Sequence, residues 1–322
     1  MKAIQTKQYG GEEQLEVVEI AKPKAGQNQV VARILATSLN PIDGKLTSGR
    51  MRQMLPLQFP FTPGADFSGV VDCVGDGVKQ FQPGDEVWGY AGMGGAYAEY
   101  IAVEESRIGL KPKSLNHIEA ASLALVGQTA LQMVDRAGIQ KGQTVLIHGA
   151  SGGVGAVATQ ESHRRGAQVI GTGSQASLNR VKEYGADQVI DYKATPFERS
   201  VQGVDVVLDT TGGETLQRSF AVLKKGGVLV SIVQPPSEEE AAKHQVKATM
   251  LVTESTTASL NKLAELVDSG AIKPFVGKVY SLNEVANGWR DGRSGQVEGK
   301  IVFKVAAEAE SGKARRSASA SE

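Results

Sequence analysis

The sequence predicts a two-domain α/β protein, with a doubly wound parallel sheet in one domain and a discontinuous, β-rich fold in the other. Three features of the 322 residues support this prediction. From about residue 118, short β-branched runs alternate with helical segments, as in parallel sheets covered on both faces. The first third instead has short strands separated by glycine turns. Strand patterns of that kind return after residue 270, so the β-rich domain is expected to continue there.

The predicted elements follow from these patterns. In the first part, strands are expected at 29–39, 67–78, 86–90 and 96–103. A helix begins at 118 and stops at Gly138. Further strands are expected at 144–150, 167–173, 188–192, 204–210, 228–233 and 247–253. Helices are expected at 153–165, 177–184, 214–225 and 256–270. Two more strands, at 273–281 and 298–305, flank a last helix.

These elements divide the chain into domains. The β-rich domain is predicted over 1–122 and 271–305, and the parallel-sheet domain over 123–270. The tail 306–322 is small, charged and unpatterned, which predicts disorder.

Composition excludes several classes of function. Lys plus Arg and Asp plus Glu balance at 35 each, so no net basic field attracts nucleic acid or an anionic membrane. The single cysteine, Cys73, rules out an intrachain disulfide and a multi-cysteine zinc site. The N-terminus lacks the apolar core of a signal peptide, and no apolar run reaches membrane length. A cytoplasmic protein is expected.

The stretch VLIHGASGGVGA at 145–156 joins a predicted strand to a predicted helix through glycines. This is the context of a dinucleotide fingerprint. Gly152 would let the backbone approach a pyrophosphate, and Gly155 would let the helix pack closely on the strand. Ala150 stands where the fingerprint has its first glycine, which is tolerable if its φ stays negative. A tight turn without a nucleotide is the alternative.

The end of the second strand of this unit indicates which dinucleotide binds. NAD-preferring proteins carry an acidic residue there, but this chain has Ser174 and no acid until Glu183. A serine hydroxyl can donate to a 2′-phosphate that a carboxylate would repel, so NADPH is favoured. Arg180 would supply countercharge or form a solvated helix surface, and Tyr192 would supply a further hydroxyl.

Seven motifs follow one another along the chain: SLNPIDGKLTSG (38–49), PGADFSGVVDCVGDGVKQFQPGDEVWG (63–89), GGAYAEY (94–100), GQTA (127–130), GASGGVG (149–155), GADQVIDY (185–192) and GKIVF (299–303). They resemble those of the medium-chain dehydrogenase/reductase superfamily, in its zinc-free quinone oxidoreductase and enone reductase branch. The resemblance covers residues 1 to about 305. It implies a Rossmann domain beside a discontinuous GroES-like catalytic domain.

The resemblance also implies chemistry without zinc. Zinc-dependent members are similar but have a cysteine where Asn40 stands and a His-Glu pair where Ala65 and Asp66 stand. Lys45 matches a lysine that contacts NADPH in enone reductases, and Asn40 lies in the active-site loop. From the residues alone, Asn40 would be a turn residue and Lys45 a solvated side chain. The resemblance favours catalytic roles for both.

Cofactor contacts are implied by position in the family. Thr129 would approach the nicotinamide or its phosphate. The pyrophosphate would meet Ser151, Gly152, Gly153, Val154 and Gly155. The strand ends would contribute Thr210, Ser231, Ile232 and Val233, and the nicotinamide would be walled by Leu251, Val252 and Thr253. Thr210 would equally suit an ordinary strand end.

The expected function is NADPH-dependent, zinc-independent reduction of an enone C=C bond or a quinone by hydride transfer. No histidine or carboxylate stands out as the proton donor. The alternatives are one-electron quinone reduction and a non-catalytic NADPH-binding sensor or structural protein. The expected partners are a small-molecule substrate and, by resemblance, a second copy of the chain in a homodimer.

Overall fold

The computed structural model describes residues 1–295 and 297–305. The tail predicted to be disordered, 306–322, lies outside the described residues. None of the helices in the described ranges combines the length and apolarity needed to cross a membrane.

The first part of the chain is mainly β-structure and ends in a long helix. Its elements are β1 (Lys2–Gln5), β2 (Glu16–Glu19), β3 (Gln29–Ser38), α1 (Pro41–Thr47), β4 (Asp66–Val74), β5 (Glu86–Tyr90), β6 (Tyr100–Glu104), β7 (Ile108–Leu110) and α2 (His117–Ala137). Helix α2 is followed by Gly138 at a left-handed φ of 65°, the conformation that the predicted stop requires.

The second part alternates strands and helices. Its elements are β8 (Thr144–His148), α3 (Gly153–Arg164), β9 (Gln168–Gly173), α4 (Leu178–Glu183), β10 (Gln188–Asp191), β11 (Val204–Asp209), α5 (Gly213–Ser219), β12 (Leu223–Ser231), α6 (Glu238–His244), β13 (Lys247–Met250) and α7 (Thr257–Asp268). The described chain closes with β14 (Val276–Ser281), α8 (Val285–Ser294) and β15 (Lys300–Lys304).

Six strands of the second part form a parallel sheet in the order β10-β9-β8-β11-β12-β13. This is the doubly wound order, which reverses direction between β8 and β11. One face is covered by an apolar cluster that includes residues of α2, α3 and α7, and the other by a cluster that includes residues of α5. Ligands of such sheets bind at the carboxyl ends of the strands beside the reversal.

The remaining large sheet confirms the predicted discontinuous β-rich domain. Its order is β14-β15-β3-β4-β5-β7, with β6 also paired to β3. Strand β15 runs antiparallel to β3 with Val302 opposite Ser38, so the end of the described chain completes a sheet begun near its start. The predicted domain boundary between residues 122 and 123 falls inside α2 and stays a prediction.

One predicted helix is wrong over its last turn. The sequence predicts a helix through 225, whereas α5 ends at Ser219, a 3₁₀ turn covers Phe220–Val222 and β12 begins at Leu223. Leu223 pairs with Val204 on β11 across a register shift. Strand pairing therefore overrides the local helical pattern.

One predicted strand is too long. The sequence predicts a strand over 247–253, but β13 ends at Met250. Its partner β12 ends at Ser231, which stands opposite Met250, so the residues beyond have no strand to pair with. They run off the carboxyl edge of the sheet as irregular backbone.

Candidate functional site

The turn after β8 has the conformation that a phosphate-binding turn needs. Gly149 has a φ of 70°, in the left-handed region that favours glycine. Within the described ranges, the non-glycine residues with positive φ are Asn28 and Gln245, so Ala150 meets the condition set for it. Ala150 is also fully buried. The glycine that this turn requires is therefore Gly149, one residue before the first position of the fingerprint.

The start of α3 is open to an anion. Gly152 caps the helix, and no acidic side chain lies in the first turn. The first amides of a helix have no acceptor within it, so they suit phosphate oxygens. A Cβ on Gly155 would overlap the carbonyl oxygen of Gly149, whereas a Cβ on Gly152 would stand 3.3 Å from it. Gly155 thus allows close packing and Gly152 allows a ligand to approach, which fits a dinucleotide pyrophosphate.

A narrow cleft runs along this turn. Ser151, Gly152 and Gly153 line one side, and Val154 continues the first turn of α3. The opposite side is formed by Lys273–Phe275 and by Gly299 and Lys300, which come from the β-rich domain or lead into it. The turn therefore faces a junction between the two domains.

The residues predicted at the adenosine end lie at the carboxyl end of β9. Ser174 follows this strand directly, and its Oγ lies 3.3 Å from Oγ of Ser177. Tyr192 is 57% exposed, and its amide donates to the carbonyl of Gly173 at 3.2 Å. Ser174 and Tyr192 are thus brought together at one strand end.

Arg180 has partners that the sequence does not predict. It forms an ion pair with Glu298 at 2.5 Å, and its guanidinium lies 3.7 Å from the centre of the Phe275 ring. Both partners belong to the C-terminal segment that faces the turn. Arg180 is therefore anchored across the domain junction, and its contact with a phosphate stays a prediction.

At the sheet reversal, two predicted contact residues bind the protein itself. Oγ1 of Thr210 donates to the carbonyl of His148 at 2.7 Å. Oγ of Ser231 donates to buried Asp209 at 2.7 Å and accepts from the amide of Val233 at 3.2 Å. These hydroxyls shape the strand ends. Ile232 is half-buried beside them.

The structure brings together the residues predicted near the nicotinamide. Oγ1 of Thr129, on α2, lies 2.7 Å from Oγ1 of Thr253, which follows β13. Leu251 is buried, whereas Val252 is 75% exposed. Two segments 124 positions apart in sequence thus meet through paired hydroxyls.

The segment expected as an active-site loop forms helix α1. Asn40 caps the helix, and its backbone N–H donates to Oδ2 of Asp43 at 2.8 Å in a capping box. Pro41 takes the first helical position, where proline is favoured because no intrahelical donor is needed there. The sequence signals were Asn, Pro and Asp at this spacing, which can also form a turn. Lys45 lies one turn into the helix.

The side-chain amide of Asn40 is held from both ends. Its Oδ1 accepts from Nζ of Lys300 at 2.7 Å. Its Nδ2 donates to Oδ2 of Asp66 at 2.9 Å and to the carbonyl of Ser38 at 3.3 Å. Asn40 is only 2% exposed. Its amide would have to leave one of these partners to reach a substrate.

Lys45 differs from Asn40 in its surroundings. It is half-buried on α1, and its ammonium has no hydrogen-bond or ion-pair partner among the described residues. A cation in this state is available to a ligand.

Burial shifts the pKa values of the ionisable groups around Asn40. It raises the pKa of Asp66 and lowers the pKa of Lys300, each of which is partly offset by the other's charge. It also raises the pKa of Asp43 to about 7. Oδ2 of Asp43 accepts from the Tyr97 hydroxyl at 3.1 Å, whereas its Oδ1 has no partner within the described chain.

Lys300 is the site residue that the sequence does not predict. It stands in the GKIVF motif, but its partner Asn40 is 260 positions away in sequence. The available signal was a lysine in the motif GKIVF, near the start of the strand predicted at 298–305.

Comparison with known proteins places this geometry in a family. An alcohol dehydrogenase GroES-like domain model matches residues 26–113, and a zinc-binding dehydrogenase model matches residues 184–303. A 2-methylene-furan-3-one reductase from Solanum lycopersicum is 35% identical over 321 residues, covering 94% of this chain and 79% of the relative.

Solved structures show the same likeness over the described fold. The quinone oxidoreductase from Coxiella burnetii matches with a TM-score of 0.89 and 34% identity, covering 95% of this chain and 99% of that chain. A mycobacterial protein complexed with NADPH matches with a TM-score of 0.86 and 28% identity, covering 95% of this chain and 100% of that chain. The chain is therefore an enzyme of the medium-chain dehydrogenase/reductase superfamily and belongs to its quinone oxidoreductase branch.

Proposed function

We propose that the protein is an NADPH-dependent, zinc-independent reductase of the C=C bond of α,β-unsaturated carbonyls, or of quinones. The observation that carries the proposal is the Lys45 ammonium on α1, which has no partner among the described residues. The glycine turn before α3 is open to the cofactor. The names of the Solanum and Coxiella relatives support both substrate classes. In a 2-methylene-furan-3-one, the C=C bond lies next to a ketone.

Ser174 supports NADPH over NADH. It stands at the carboxyl end of β9, where a carboxylate would bind the ribose hydroxyl of NAD and repel a 2′-phosphate. Tyr192 adds a second hydroxyl at the same end. The NADPH complex of a structural neighbour is consistent with this choice.

The protein's part in the reaction is to orient the reactants and stabilise charge. When bound, NADPH supplies the hydride that the electrophilic β-carbon of the substrate accepts. Negative charge then develops on the carbonyl oxygen, and preorganised donors lower the barrier most where this charge appears. The Lys45 ammonium and the backbone amides near Leu251–Thr253 are the donors we propose. We propose that the α-carbon takes its proton from solvent or from a nearby hydroxyl.

Asn40 contributes by its position. Its amide already binds Lys300 and Asp66, so we propose that it sets the direction of α1 and thereby of Lys45. Orienting a reacting group in this way can supply a large part of the acceleration.

Zinc independence is proposed from the chemistry of the side chains. Asn40 and Ala65 offer no thiolate or imidazole, and Asp66 is already bound to Ser38 and Asn40. Zinc sites need three or four nitrogen, sulfur or oxygen ligands. Within the described ranges, no three His, Cys, Asp or Glu side chains are grouped so that they would hold a metal ion.

The direct test is turnover by the purified protein. A panel of enones and quinones is mixed with NADPH, and loss of the absorbance of the reduced nicotinamide is followed before and after treatment with a chelator. We expect turnover of at least one panel member, unchanged by the chelator. Normal NADPH binding with no turnover of any member would favour the sensor or structural alternative. Loss of activity on chelation would contradict the metal-independent chemistry.

A further inference from the structure

Lys300 is a buried cation that the proposed reaction does not use. It is 8% exposed, and its ammonium donates to the carbonyl of Leu39 at 2.6 Å and to Oδ1 of Asn40 at 2.7 Å. Burying a charge is costly unless it is paired and hydrogen-bonded. The neighbouring Asp66 carboxylate provides the opposite charge, with the Asn40 amide bridging the two.

The stem of Lys300 lies against the other domain. Its Cδ would stand 3.0 Å from a Cβ built on Gly153, the first residue of α3. One side chain therefore starts on β15, passes the proposed phosphate-binding turn at residues 149–153 (the phosphate turn) and ends at the cap of α1. A lysine is long enough to make both contacts, and its charge fixes which end of the Asn40 amide faces it.

We propose that Lys300 is a positioning residue that holds the Asn40 amide, and with it helix α1 and Lys45, in place against the phosphate turn. The proposal rests on the proposed function for its effect on turnover, but its structural part needs no substrate. Without Lys300, the carbonyl oxygen of Asn40 loses its donor and the charge of Asp66 loses its counterion. The side-chain amide of Asn40 then keeps only its Nδ2 bonds to Asp66 and Ser38, so α1 and Lys45 are held less firmly.

Lys111 provides a matched control. Its side chain is 6% exposed, and its ammonium donates to the carbonyls of Pro112 and Leu115 at 3.1 and 2.5 Å and pairs with Glu86. It is a buried lysine of the same kind, and the hydrogen-bond and ion-pair partners it has in the described chain lie outside α1. Lys111→Met reports the general cost of removing such a lysine.

The first arm of the test is amide hydrogen exchange in residues 42–47 of the cofactor-free protein. In Lys300→Met we expect exchange there to rise by about 10-fold or more relative to wild type, with no such rise in Lys111→Met. If Lys300→Met does not fold, Lys300→Arg, which keeps the charge but moves the donors, is measured in the same way. Unchanged exchange in α1, or an equal rise in the Lys111 variant, would overturn the proposal. This arm is decided even if the proposed reaction fails.

The second arm is a double-mutant cycle in kcat. Lys300→Met is expected to lower kcat by about 10- to 100-fold while KM for NADPH changes much less. If Lys300 acts through Asn40, adding Asn40→Ala causes little further loss. Independent, multiplying losses would show that Lys300 does not act through Asn40. A loss equal to that of Lys111→Met would show a general effect on stability only.

Discussion

Among single residues, Ser174 is the one that we propose selects NADPH over NADH. Ser174→Asp should weaken NADPH binding at least about 10-fold more than NADH binding, a difference of about 1.4 kcal/mol, because a carboxylate repels the 2′-phosphate. Fluorescence titration of both cofactors measures the ratio.

Ser269→Asp serves as the control for that change. Ser269 is exposed beyond the end of α7, so its substitution adds the same charge away from β9. Equal weakening of both cofactors by Ser174→Asp, or the same ratio in the control, would count against the assignment.

Asp43 should make stability depend on pH. Burial raises its pKa to about 7, so the folded state holds its proton more tightly than the unfolded state does. The contribution of Asp43 to the free energy of unfolding is therefore fully present below about pH 4 and is lost as the pH rises to about 7. Relative to Asp43→Asn, wild-type stability should therefore fall over this range by up to about 1.4 kcal/mol per pH unit.

Denaturant unfolding of both proteins across this range measures the difference. The difference between the two proteins is needed because His148 also titrates in this range. Burial lowers the pKa of His148 to about 4, so its contribution to the free energy of unfolding increases as the pH rises. Parallel pH profiles for wild type and Asp43→Asn would contradict the assignment.

Residue-level prediction succeeded where a position had a local reason. Ala150 lies in the turn after β8 and Gly155 in the first turn of α3, and the backbone geometry of a few neighbouring residues explains both. Lys300 had no such local signal, because its partners lie at the other end of the chain. Arg180 was ambiguous for the same reason, since Glu298 and Phe275 come from a distant segment.

Among the secondary-structure elements, the start of α3 carries two glycines with different proposed roles: Gly155 in packing and Gly152 in cofactor binding. Gly155→Ala would push a methyl group into the carbonyl of Gly149, so we expect a loss of about 1–3 kcal/mol of stability together with weaker NADPH binding. Gly152→Ala places its methyl group 3.3 Å from the same oxygen, a tight contact that a small shift relieves, so it should weaken NADPH binding with a smaller loss of Tm. Thermal unfolding and cofactor titration of both variants test this. Equal loss of stability in the two would contradict the assigned roles.

The elements themselves were predictable where hydrophobic period and turn residues agreed. Strands β8 and β9 and helices α2 and α3 lie within two residues of their predicted bounds. Helix α1 was not predicted, because Pro41 also suits a turn and only the capping box with Asp43 decides for a helix. The ends of α5 and β13 depend on pairing with neighbouring strands, which local sequence does not report.

At the scale of the whole molecule, the two domains meet along the phosphate turn. Lys300 and Glu298 reach from the end of the β-rich domain to α3 and α4, while Thr253 meets α2. The discontinuous domain makes these contacts possible, because β15 starts beside the end of β3 and Asn40. The expected homodimer stays a prediction.

The central claim is that the protein transfers hydride directly from NADPH to a carbon of the substrate. The most direct measurement uses an enone and NADPH with deuterium at both C4 positions, followed by mass and NMR analysis of the product. We expect one deuterium on the β-carbon and none on the α-carbon, because the proton there comes from solvent or from a hydroxyl that exchanges with solvent. A reduced product without deuterium on the β-carbon would contradict direct hydride transfer. So would a semiquinone radical detected by spin resonance before any hydroquinone has formed from a quinone substrate.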